Sequence, residues 1–153
     1  MTGATDAFRE EHAELRGQIE HLRSVADRLP TMDTSEREAE LRPVFGFLHD
    51  SLIPHAEAEE RVLYPAVAEL LGNPKSTATM ISDHRAIVSR IAALEKTEPD
   101  DLPRLQGLLY GLYALLIVHF HKEEDDYLPL LEERPQAEVE ALLQQMGHAH
   151  HAH

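Results

Sequence analysis

Cysteine is absent from this chain. That excludes disulfides, thiolate metal sites and cysteine-ligated iron–sulfur clusters, and it fits a cytoplasmic protein. Positive charge is scarce. Lys and Arg number 14 against 28 Asp and Glu, for a formal net charge of −14. Nucleic acids and anionic membranes call for a basic surface, so neither is expected as a partner. Long apolar runs are missing too. The longest, around residues 108–118, is too short to cross a bilayer, and the N-terminal MTGATDAFREEHAEL lacks the apolar core of a secretory signal. The alternation of a half-buried strand is also absent.

What is present is helical rhythm. The 153 residues, 42% hydrophobic and 27% charged, suit a single domain with a real core. Phe8, His12, Leu15, Ile19, Leu22, Ala26 and Leu29 recur at steps of four and three up to Pro30. Ser35 with Glu38 reads as a capping box for a second helix. Its seam carries Leu41, Phe45, Leu48, Leu52, His55, Glu59, Val62 and Ala66, and it ends near Gly72. Pro43, Pro54 and Pro65 inside it predict bends or short breaks.

A third helix carries Ile81, His84, Ile87 or Val88, Ile91 and Leu94, and TEPDDLP then breaks the chain. A fourth runs over about 102–133 with Leu105, Leu108, Leu112 and Leu115 on one face. The expected fold is all-α, an up-down-up-down four-helix bundle over 1–146 with a short helix at 137–146. The His-rich tail 147–153 is expected to be disordered, a loose metal binder or a remnant of cloning.

The seams contain residues that oil-filled cores avoid. His12, His55, Glu59, His84, His119 and Glu123 all occupy positions where the pattern asks for leucine. His55/Glu59 and His119/Glu123 are i,i+4 pairs, each on one helical face. Counting from the loops at about 1.5 Å per residue, they converge on one layer, with His119 off by roughly 8 Å. A lone seam histidine is usually a hydrogen-bonded structural residue. Six buried groups of this kind would destabilise a small domain unless a cation satisfied them. HAEAEERVLYPAV and HFHKEEDDYLPLL read as copies, which suggests two ions with bridging carboxylates. Mixed imidazole and carboxylate suits iron, manganese or zinc. The Glu-x-x-His motif of ferritin-like bundles does not occur.

The text EEHAEL, HAEAEERVLYP, DHRAI and HFHKEEDDYLP resembles the hemerythrin-like family, the HHE cation-binding domain, over most of the chain. The resemblance implies two iron ions with a bridging oxo or hydroxo group. His12, His55, His84 and His119 would be terminal ligands, and Glu59 and Glu123 bridges. Oxygen-carrying members have an HxxxH pair on the third helix, whereas here the residue four after His84 is Val88 and the one four before it is Met80. A phenolate is one way to fill that gap. Tyr127, one turn beyond Glu123, is the first candidate by helical spacing, then Tyr64, with Tyr113 and Tyr110 weaker. His121, His49 and His21 lie off the seams.

An open iron position favours reaction over carriage. The expected function is therefore a catalase-like or nitric-oxide-oxidising oxidoreductase with peroxide or diatomic ligands and an unidentified electron donor. Reversible oxygen binding or oxygen, redox or iron sensing is the alternative.

Overall fold

The computed structural model describes residues 3–151, with side chains to residue 147. The described residues form an all-α bundle without a strand. Helix α1 (Asp6–Arg28) buries the expected seam and adds Val25, then closes in a 3₁₀ turn, Leu29–Thr31, around Pro30. The second long helix, 34–71, is built of α2 (Thr34–Phe47), α3 (Ile53–Ala58) and α4 (Tyr64–Leu71). Helix α5 (Ala78–Glu95) is third. The fourth is α6 (Leu102–Lys122) continued by α7 (Leu128–Glu132). Helix α6 packs against both α1 and α5, and α2 packs on α1.

The cap of α2 is Asp33, not Ser35. Its carboxylate accepts from the Glu36 N–H at 2.8 Å, and Glu36 returns the bond to the Asp33 N–H at 3.4 Å. Asp33 stands where the chain is still extended, which is what a capping side chain requires. At the far end Gly72 closes α4 with φ +69°, a conformation glycine adopts without strain.

The prolines act through the turns before them. Three π-helical turns, Leu48–Leu52, Glu59–Leu63 and Glu123–Tyr127, each end two residues before a proline: Pro54, Pro65 and Pro129. The N–H groups of Ile53, Tyr64 and Leu128 reach back five residues, to Leu48, Glu59 and Glu123. Proline has no N–H and its ring crowds the carbonyl four residues back, so a wide turn makes room. Pro43 lies inside α2 without one.

The wide turn at Glu59 moves the seam by a residue. Beyond Glu59 the buried positions are Leu63, Tyr64 and Val67, not the expected Val62 and Ala66. Earlier, Val44 is buried where Phe45 was expected, and on α6 Leu109 and Leu116 replace Leu108 and Leu115. Of the two readings for α5, Ile87 is buried and Val88 exposed.

Helix α8 (Gln136–His151) is longer than the expected 137–146 and its backbone runs into the segment read as a tail; residues 152 and 153 lie outside the described residues. It packs across α3 and the Glu59–Leu63 turn, burying Val139 and Met146. No helix among the described residues is long and apolar enough to cross a membrane.

The apolar interior comes in two clusters. One runs from Leu15 to Leu29 on α1 and includes Leu52, Ile87, Ile91, Leu109 and Phe120. The other includes Phe8, Ala58, Met80, Tyr127, Leu128 and Met146. Along every long helix, the passage from one cluster to the other goes through one of the polar seam residues.

Candidate metal centre

His12, His55, Glu59, His84, His119 and Glu123 lie in that passage, none more than 4% exposed. The sequence expected one layer, and the structure brings all six together. The roughly 8 Å offset counted for His119 does not keep it from the layer, where its Nε2 lies 3.0 Å from that of His84.

The Nε2 atoms of His12 and His55 are 3.1 Å apart, and those of His84 and His119 are 3.0 Å apart. Glu59 stands between the two pairs. Its Oε2 is 3.1 Å from His55 and 3.6 Å from His12, while its Oε1 is 3.4 Å from His84. Two groups therefore have the spacing to hold a cation, His12–His55–Glu59 and Glu59–His84–His119, with Glu59 common to both. Glu123 spans them from the opposite helix, its Oε1 3.4 Å from His119 Nε2 and 3.9 Å from His12 Nε2.

What faces outward explains why the Nε2 atoms face inward. His12 Nδ1 meets Glu124 at 3.3 Å, His55 Nδ1 meets Glu11 at 3.1 Å, and His119 Nδ1 meets Asp83 at 2.9 Å. His84 Nδ1 lies 3.3 Å from a Glu60 oxygen, an ion-pair approach without hydrogen-bond geometry. A carboxylate at Nδ1 keeps the proton there and leaves the Nε2 lone pair aimed at the centre, as in metal-binding histidines. Each acid comes from the neighbouring long helix, so the pairs run as a closed circuit. Glu11 on α1 holds His55; Glu60 faces His84 on α5; Asp83 on α5 holds His119; Glu124 holds His12. Arg16 fixes Glu124 at 2.5 Å, and Lys122 fixes Asp83 at 2.6 Å.

The donor set fits a cation. Two imidazole lone pairs about 3 Å apart repel unless a positive charge lies between them. Glu59 Oε2 and Glu123 Oε1 are buried with no hydrogen-bond partner, a costly state for a carboxylate. The electrostatics tell the same story. Burial opposes ionisation of Glu59, but His55, Glu123 and His12 outweigh it and hold its carboxyl well below the ordinary value. Burial and the Glu59 charge push Glu123 well above. Burial disfavours charge on His55, yet Glu59 and Glu11 lift it to about 10; on His119 burial prevails and lowers it. Glu124 falls to about 2, chiefly through its bond with His12 and then Arg16.

The tyrosines divide sharply. Tyr64 is 1% exposed, and its hydroxyl lies 3.1 Å from His84 Nε2, 3.0 Å from His119 Nε2, 3.2 Å from Glu123 Oε2 and 3.5 Å from Glu59 Oε1. Burial and the two carboxylates push its ionisation far above the ordinary range. Tyr127, first by spacing, stands behind it with its ring edge-on at 5.9 Å. The π-turn decides this: from a glutamate that opens such a turn, the fifth residue comes back over it, not the fourth. Pro65 directly after Tyr64 was the available signal. Tyr110 and Tyr113 bond Asp27 and Glu20 on α1, away from the layer. His21 and His121 are exposed, and His49 pairs with Glu95. The four orienting acids were not anticipated; their signal is position, next to a ligand-type residue in EH, EE, DH and EE.

Helices that carry imidazole and carboxylate inward from all sides define a cation-binding bundle. The family comparison agrees: the Hemerythrin HHE cation binding domain matches residues 3–131, and the chain belongs to that family. No curated protein and no solved structure matches it.

Proposed function

We propose that the chain is a di-iron oxidoreductase acting on small oxidants, hydrogen peroxide or nitric oxide foremost. His12 and His55 would hold one ion and His84 and His119 the other, with Glu59 and Glu123 shared and a solvent-derived oxo or hydroxo bridge. An iron pair supplies redox equivalents and an open coordination position. The observation that carries this reading is the sharing of Glu59 by two adjacent donor groups in a sealed layer.

The remaining parts are the chain's own. The four acids orient the imidazoles. Phe8 and Phe120 pack on His12 at centroid distances of 4.2 and 4.3 Å and keep bulk water from it. A cavity of about 20 Å³, walled by Leu52, Ile53, Ala56, Ile87, Leu116 and Phe120, reaches His55, Glu59, His84 and His119. That is room for one very small molecule and excludes larger substrates. The Tyr64 oxygen is a hard donor beside the centre, which suits ferric iron and disfavours a reversible oxygen cycle.

The test uses protein freed of residues 147–153. Metal content and an optical spectrum come first, then addition of peroxide and of nitric oxide to the iron-loaded form. Two irons per chain with gas evolution or rapid nitric oxide loss support the proposal. A stable oxygen adduct that disappears under vacuum supports carriage instead, and iron-free protein equally heat-resistant with and without chelator refutes both.

A further inference from the structure

The two long helices that carry the glutamates match position for position. His55, Glu59, Glu60, Leu63, Tyr64 and Pro65 correspond to His119, Glu123, Glu124, Tyr127, Leu128 and Pro129. The correspondence fails chemically at Leu63 against Tyr127, behind the layer, and at the next position: Tyr64 on one side, Leu128 on the other. Both are buried, and both follow a π-turn that begins at a glutamate. Only one of them carries a polar atom into the layer.

The consequence is visible in the carboxylates. Glu59 Oε1 and Glu123 Oε2 are in reach of the Tyr64 hydroxyl, which also lies against His84 and His119. Glu59 Oε2 and Glu123 Oε1 have no such partner. Glu59 Oε2 belongs to the His12–His55 half, 3.1 Å from His55 and 3.6 Å from His12, while Glu123 Oε1 lies between the halves, 3.4 Å from His119 and 3.9 Å from His12. One half of the layer has the Tyr64 hydroxyl between its imidazoles, and the His12–His55 half has no hydroxyl there.

We propose that the centre loads in sequence, the first cation entering the His12–His55 half and the second the Tyr64 half only after displacing that hydroxyl from its hydrogen bonds. The order rests on the two-cation reading above. The first ion satisfies the buried carboxylate oxygens that Tyr64 does not reach. The second meets donors that Tyr64 already occupies. Loss of about one hydrogen bond separates the two stepwise dissociation constants by roughly tenfold.

Zinc, a diamagnetic probe, tests the order in the full chain stripped of metal. The ring nitrogen resonances of isotope-labelled histidine are followed through the titration, and calorimetry gives the two constants. The Nε2 signals of His12 and His55 are expected to move during the first equivalent, and those of His84 and His119 only during the second. Tyr64→Phe keeps the ring and removes the hydroxyl, so the separation between the constants should collapse. Two zinc ions taken up in the opposite order, or with all four imidazoles moving together, overturn the sequence and leave the two-cation reading standing. Uptake of fewer than two ions, with iron as with zinc, overturns both.

Discussion

Glu123→Gln separates a metal ligand from a merely buried acid. The side chain is 0% exposed; its Oε2 lies 3.2 Å from the Tyr64 hydroxyl, and its Oε1 has no partner. Burial and the charge of Glu59 push its carboxyl well above the usual carboxylate range. Glutamine is its close isostere without the charge that this environment disfavours, and it is still able to accept from Tyr64. The substitution should change metal-free stability by about 1 kcal/mol or less. In iron-loaded protein it would remove the anionic donor that the proposed centre shares between its halves. At free iron 1,000 times the dissociation constant, linkage contributes about 4.1 kcal/mol. A 100-fold weakening, the range that even outer partners of a metal reach, leaves about 1.4 kcal/mol. The difference, about 2.7 kcal/mol, corresponds to roughly 5–11 °C in Tm for a chain of this length. Thermal unfolding by far-ultraviolet circular dichroism, with anaerobic iron and with chelator, measures both arms. An equal drop in the two arms, or an iron increment that survives the substitution, refutes the reasoning.

Other perturbations have distinct signatures. His121→Ala should change neither iron content nor Tm, since the side chain is 58% exposed and meets only Asp125 at 3.6 Å; loss of iron there would contradict the assigned seam. Leu22→Ala, at a fully buried site remote from the polar layer, should lower stability in urea by about 2–5 kcal/mol while leaving the metal stoichiometry unchanged. Glu132 accepts from Arg9 at 2.6 Å and from Thr5 at 2.8 Å, and these hold its carboxyl below the ordinary 4.5. Because the folded value lies below the unfolded one, its contribution is complete above the unfolded value and fades as pH falls through the folded one. Wild type should therefore exceed Glu132→Gln by about 1 kcal/mol or less at neutral pH, the pair being half exposed, and the gap should close on acidification.

The polar layer was legible because its residues break an otherwise regular pattern. A histidine at 12 or 84 on an apolar face carries information that a surface histidine does not. The bundle itself followed from period and loop length. Less was legible where geometry departs from 3.6 residues per turn. Val62 was expected on the seam and Tyr127 beside the centre because a regular helix puts them there; the π-turns at Glu59 and Glu123 bring in Leu63 and Leu128, set Tyr64 at the centre and leave Tyr127 buried behind it. Pro65 and Pro129 mark those turns, but a proline alone does not say whether a helix bends, breaks or widens, and Pro43 lies inside α2 without a break. Glu11, Glu60, Asp83 and Glu124 were hidden for another reason. Each orients a histidine on a different helix, and a sequence read one helix at a time treats them as solvent-facing charge.

That circuit of acids has a consequence for the chain as a whole. The α1 half supplies Glu60 to His84 and receives Glu124 for His12. Two identical helical hairpins set face to face would complete the same exchange. A single polypeptide is released from that sameness: one side can carry a phenol where its twin carries an alkyl group. The two proposed ion positions would thus differ in chemistry while sharing one frame.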